Sequence, residues 1–204
     1  MQEYGIQLPI RTVGEYLHRW GFRPQKPVKR TYEQQPAQVR QWLDEEYPGI
    51  VRKAREEEAE ILWGDETGIS SEDNRCRGYA PEGRTPVVYG PDKRFSASMI
   101  SAINNQGKMR FMVYEGALRV QTFLKFLRRL IRDAKQKVYL IVDNLRVHHA
   151  RKVREWIERH ADEIELFYLP AYSPEYNPDE YLKQDVKTHV QQKPMPRSDQ
   201  ELTS

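Results

Sequence analysis

A single cysteine in 204 residues excludes an internal disulfide and any zinc site built from several thiolates, so Cys76 reads as a bystander. Long apolar runs are missing too. None approaches the ~20 residues that a membrane-spanning helix needs, and the N-terminus lacks the form of a signal peptide; the expected location is the cytosol. A strong charge of one sign is likewise absent, because a net charge of +3 is too small to name a partner. With 38% hydrophobic and 31% charged residues, the chain can fill one core while keeping an ionic surface.

What is present centres on Val138-Tyr139-Leu140-Ile141-Val142-Asp143-Asn144. Five apolar residues that end at a carboxylate have the pattern of a strand buried on both faces that delivers one charge to a sheet edge. A second run, Ile61-Leu62-Trp63-Gly64-Asp65, ends the same way. Sites in open α/β sheets collect at the carboxyl ends of the strands, so Asp65 and Asp143 are candidate catalytic or metal-binding residues. Charge is also uneven around them. From Arg119 to Arg154 there are eleven Lys or Arg against two acids, a basic surface suited to a polyanion, although part of it is equally the wet face of an amphipathic helix.

Taken in order, Thr12 to Trp20 reads as a helix with Val13, Tyr16, Leu17 and Trp20 on one stripe, like the recognition helix of a helix-turn-helix. Residues 1–20 are therefore expected to be a partial DNA-binding segment, with Arg11, Thr12 and Arg19 toward DNA. Residues 21–60 are expected to be a proline-rich linker and helices. In its first part Arg23, Lys26, Lys29 and Arg30 can follow a DNA backbone, and Pro48-Gly49 is expected to break the helix that begins at Ala37. Residues 61–193 alternate strand and helix: strands at 61–65, 94–103, 108–114, 138–143 and 164–169, helices at 120–134, 150–161 and 179–190, and a loop over 70–89. Residues 194–204 form a tail. This order predicts a mixed five-stranded sheet flanked by helices, the first three strands a meander and the last two parallel to their neighbours. Trp20, Trp42, Trp63 and Trp156 are expected in cores.

A third acid follows the last strand. Asn177 can cap a helix whose first residue is Pro178, which fixes Glu180 on a rigid element. Three oxygen donors from Asp65, Asp143 and Glu180 suit Mg²⁺ or Mn²⁺ better than zinc, and one or two such ions support phosphoryl transfer. Glu66, Glu175 and Asp179 are rival carboxylates, and Asp179 in place of Glu180 stays open as the third ligand. Arg146 and His148 lie where a phosphate contact is expected; His148 is alternatively a helix cap.

Asp65-Glu66-Thr67-Gly68, Val142-Asp143-Asn144 with His148-His149, and Leu169-Pro170-Ala171-Tyr172-Ser173-Pro174 leading to Asn177-Pro178-Asp179-Glu180 together resemble the signature blocks of DDE transposases, closest to the bacterial insertion-sequence branch of the mariner superfamily. The 37 positions between Asp143 and Glu180 agree with that branch. The resemblance implies a ribonuclease H-like fold, Asp65, Asp143 and Glu180 as ligands of two Mg²⁺ or Mn²⁺ ions, cleavage at the element's ends and strand transfer into double-stranded DNA, usually at TA. It further implies a homodimer at the bacterial nucleoid. Against the family pattern the chain reads as shortened at both ends. The alternatives are a catalytically silent remnant that binds DNA or the full-length enzyme, and a stand-alone ribonuclease H-like nuclease.

Overall fold

The computed structural model describes residues 8–24, 33–70, 81, 84 and 96–192, with side chains to His189. Cys76, Lys26, Lys29, Arg30 and most of the loop expected at 70–89 lie outside the described residues. The chain divides into two compact units, Met1–Tyr32 and Glu33–Ser204.

In the first unit, helix α1 (Ile10–Arg19) has no buried residue. Its stripe of Val13, Tyr16, Leu17 and Trp20 is exposed, and Trp20 stacks on Tyr16 at 5.9 Å instead of entering a core as expected. A one-stripe helix needs another surface to cover it, and no described residue of this unit does so.

The second unit begins with α2 (Pro36–Gln41), which passes through a π-helical turn (Trp42–Glu46) into α3 (Tyr47–Glu56). Pro48-Gly49 does not break this run, contrary to expectation. The wider π turn lies just ahead of Pro48, where its missing N–H and its ring would disturb a regular helix, and that turn absorbs the defect. It also delivers Trp42 onto the sheet, where the ring packs on Tyr47 and Trp63 and Nε1 donates to the Tyr168 carbonyl at 3.1 Å.

Next come β1 (Glu60–Ser70), β2 (Ser96–Ile103), β3 (Met109–Tyr114), α4 (Val120–Arg132), β4 (Val138–Val142), α5 (Arg151–Glu158), β5 (Ile164–Tyr168) and α6 (Asp179–Gln192). The sheet order is β3-β2-β1-β4-β5. β1, β2 and β3 are antiparallel neighbours, whereas β4 pairs parallel with both β1 and β5. All five residues of β4 are buried. Strand alternation divides the core in two. Leu62, Leu140 and Val142 face Phe123, Leu127 and Leu130 of α4 and Val153 and Trp156 of α5; Trp63, Tyr139 and Ile141 face Trp42, Ile50 and Ala54. The helices expected in a linker are therefore one cover of the sheet. Among the described residues, no helix is long and apolar enough to cross a membrane.

One close approach holds β1 against β4. A Cβ at Gly64 would lie 3.1 Å from Val142 Cγ1 and 3.2 Å from Leu140 Cδ1. Gly64→Val should therefore lose about 1–3 kcal/mol to overpacking, read as a lower urea midpoint with an unchanged slope; an unchanged midpoint would show that the two strands are not in such tight contact.

Candidate active site

The pairing of β1 and β4 runs from Glu60 opposite Val138 to Trp63 opposite Ile141. Two residues further on, the same register brings Asp65 level with Asp143. Asp65 is not at the end of its strand as expected: β1 continues to Ser70 because β2 keeps it paired over that whole length. It is β4 that ends here, opening a gap at the sheet edge into which both aspartates project. Beyond β5, Leu169 to Pro174 form one wall of a cavity of about 400 Å³ that Asp65, Asp143, Asn177, Glu180 and Lys183 also line. Asn144 ties this wall to β4 by donating to the Leu169 carbonyl. Gln34 Nε2 pins the outer turn, donating to the Tyr172 carbonyl (3.1 Å), Ser173 Oγ (3.1 Å) and Glu175 Oε1 (2.7 Å).

α6 is capped as the sequence suggested, with the Asp179 N–H donating to Asn177 Oδ1 at 3.1 Å. Asn177 has a second task. Its Nδ2 donates to the Gly64 carbonyl and to Asp65 Oδ2, both at 3.2 Å, fastening the start of α6 to β1. Glu180 then lies in the first turn of the helix, where a carboxylate is favoured by the helix dipole, and lines the cavity. Its rival Asp179 is fully buried on the other side of that turn, accepting from Ser101 Oγ at 2.7 Å. Glu66 projects from the opposite face of β1 to Asp65, and Glu175 is exposed.

The principal omission of the sequence reading is Lys183. One turn after Glu180, its Nζ lies 2.6 Å from Asp65 Oδ2 and 3.2 Å from Glu180 Oε1, with the lysine side chain only 18% exposed. No local pattern marks it, since a lysine on a polar helix is ordinarily solvated. His148 is held inside the domain. Expected at a phosphate, it is 4% exposed, packed on Phe123 at 4.6 Å, and its Nδ1 lies 3.0 Å from the Asp143 carbonyl and 3.1 Å from Asp143 Oδ1. It is buried against Asp143, which it orients. Arg146 is exposed beside the site. In the first unit Arg11 pairs with Glu15 at 3.4 Å, Arg19 lies over the Tyr16 ring, Arg23 donates to the His18 and Phe22 carbonyls, and Thr12 is half-buried.

The acids are electrostatically unequal. Burial pushes the Asp65 carboxyl above the ordinary range, and Lys183 pulls it back only in part. Burial raises Glu66, with the charge of Asp143 adding to the effect. Burial acts upward on Asp143 as well, but the hydrogen bond and charge of His148, with the Leu145 N–H and the charge of Lys183, together outweigh it, and this carboxyl stays below its usual value. Lys183 is held above the usual lysine value despite burial, because Asp65 and Glu180 favour its charge. As they stand, no three acids or histidines among the described residues are gathered closely enough to hold a metal ion; an ammonium fills the space between Asp65 and Glu180. The donors are hard oxygens that already hold a cation, so in kind they fit Mg²⁺ or Mn²⁺.

A five-stranded mixed sheet in the order β3-β2-β1-β4-β5 with helices against it is a ribonuclease H-like fold. Residues 60–203 match the DDE superfamily endonuclease family, and the chain belongs to it. Residues 1–46 match a winged helix-turn-helix family, well past the boundary expected at residue 20. No curated protein matches the chain. Among solved structures, it resembles the Mos1 strand transfer complex (19% identity, TM-score 0.62, over 95% of this chain and 59% of that one). It also resembles the catalytic domain of the Mos1 mariner transposase (18%, 0.58, 88% and 81%) and the Mos1 paired-end complex with Mn (18%, 0.59, 88% and 57%). At these identities the likeness speaks for the fold, and the chain spans about 59% of the length of the Mos1 chain in the first.

Asp179 gives the site a pH signature. Burial, with the charge of Asp65 adding to it, pushes this carboxyl from its ordinary 3.8 up to about 6. Between those values the folded chain binds the proton that the unfolded chain has lost. Metal-free protein should therefore gain stability from Asp179 as pH falls from about 6 to about 4, at most about 1.4 kcal/mol per pH unit. Asp179→Asn should lack that contribution when urea unfolding is compared across pH 4–7; parallel profiles for the two proteins would contradict it.

Proposed function

We propose that this chain carries the catalytic machinery of a transposase of the mariner superfamily, of the insertion-sequence kind, which cuts DNA at the ends of its element and joins the freed 3′ ends to target DNA. The observation that carries the reading is the convergence of Asp65, Asp143 and Glu180, from two parallel strands and the start of a helix, on one cavity at the sheet edge. Membership of the DDE superfamily endonucleases supports the reaction class. Mos1 in its strand transfer and paired-end complexes supports the substrate, and its complexes with Mn and with Mg support the cofactor. Double-stranded DNA, with TA as target, and a homodimer that pairs two ends are proposed on the same footing.

In this reading Asp65, Asp143 and Glu180 hold Mg²⁺ or Mn²⁺. A bound divalent cation supplies Lewis acidity and positive charge at the scissile phosphate. The chain's own residues do the positioning. His148 orients Asp143 and helps hold its carboxyl below the ordinary range, which favours the charged form that binds a cation. Asn177 fixes Asp65 relative to α6, so the spacing between strand and helix is set before DNA arrives. The exposed Arg146 and Arg151, which follow Asp143 in the chain, give the polyanion a basic approach, and the winged helix-turn-helix segment supports sequence reading by residues 1–46, Arg11, Thr12, Arg19 and Arg23 among them.

The test is cleavage of a labelled duplex bearing the element's end, with Mg²⁺ or Mn²⁺. Asp143→Asn should lower the rate by about two to three orders of magnitude while leaving duplex affinity and the circular dichroism spectrum unchanged. Cleavage by Asp143→Asn at the wild-type rate would overturn the assignment.

A further inference from the structure

Lys183 is not explained by the need for three acids. Its ammonium is placed between two of them, at 2.6 Å from Asp65 and 3.2 Å from Glu180, although burying a lysine is costly unless its charge is met. The pair is not a surface accident. Asp65 retains 7% of its side-chain exposure and Lys183 18%, the two are far apart in sequence, and Asn177 holds the same Asp65 oxygen, Oδ2, at 3.2 Å. Asp65 is thus met by a cation supplied by the chain itself, with the more exposed Glu180 on the other side of the ammonium.

We propose that Lys183 is a built-in counter-cation that occupies the space between Asp65 and Glu180 in the metal-free protein and competes with the divalent ion for those carboxylates. The inference rests on the reading of the two acids as metal ligands. An ammonium and a divalent cation repel each other, and both seek the same carboxylate oxygens, so each ion bound requires the lysine to give up Asp65. The flexible four-carbon stem of lysine allows this without movement of α6. The lysine thereby does two things at once: it neutralises the buried Asp65 while no metal is present, and it weakens metal binding by the free chain.

Direct Mn²⁺ binding, followed by the electron paramagnetic resonance of the free ion, tests this together with thermal melting in EDTA and in MnCl₂. Lys183→Met, which keeps the stem and removes the charge, should bind Mn²⁺ about tenfold more tightly than wild type, the scale of an ordinary coupling between two bound species. It should melt lower in EDTA and gain more from Mn²⁺. Lys183→Arg should stay near wild type in both measurements. If the methionine variant does not fold, Lys183→Gln, which keeps a donor for Asp65, carries the same expectation. Equal Mn²⁺ affinity in wild type and the neutral variants would overturn the role of Lys183 alone. Absence of Mn²⁺ binding by all of them would overturn the metal reading of the acids and this inference with it.

Discussion

The parallel pairing of β1 with β4 is the constraint on which the site depends. A register of one residue more or less would turn β1 over, presenting Glu66 where Asp65 stands and moving Leu62 and Trp63 to the wrong covers. Burial on both faces makes such a slip costly, since Leu62 is fully buried against α4 and Trp63 nearly so against Trp42. Gly64 permits the two strands to approach closely at the step before the acids. The core therefore does more than stabilise the domain. It sets which carboxylates meet, and how far along the sheet.

Placing acids at a buried edge has an electrostatic cost, which the surrounding residues answer individually. Asp143 is met by His148, Asp65 by Lys183 and Asn177, and Asp179 partly by Ser101, while its Oδ1 has no hydrogen-bond partner among the described residues. Such local conflicts are what a functional site looks like in an otherwise consistent fold. Elsewhere in the same unit Lys53 pairs with Glu165 nearer the surface, where ion pairs contribute little, while Lys137 with Glu57 and Arg110 with Glu60 form partly buried pairs.

Much of this was written in local pattern. The apolar run of β4 and the helical stripes of α4 and α5 need only neighbours in sequence to be recognised. So does the turn at Asn104–Gly107, where Asn104 Oδ1 accepts from the Gln106 and Lys108 N–H groups and Gly107 has φ 81°. The meander and the parallel sense of the last two strands followed from the order of the elements, whereas the place of β4 beside β1 did not. What escaped was set by partners far along the chain. β1 runs past Asp65 because of β2, and the helix runs past Pro48 because a π turn precedes the proline and Trp42 is wanted on the sheet. His148 is buried because Phe123 and Asp143 claim it, and Lys183 is an ion-pair member because β1 passes beneath α6. Trp20 shows the converse: helical periodicity described the stripe correctly but said nothing about what covers it.

The central claim, that this sheet edge assembles a site for a hard divalent cation, is tested most directly by a crystal structure of the chain soaked in Mn²⁺, with data collected at a wavelength where manganese scatters anomalously. The account predicts an anomalous peak between Asp65, Asp143 and Glu180, with Lys183 withdrawn from Asp65. A peak elsewhere on the molecule, or none with Lys183 still in place at saturating Mn²⁺, would contradict it.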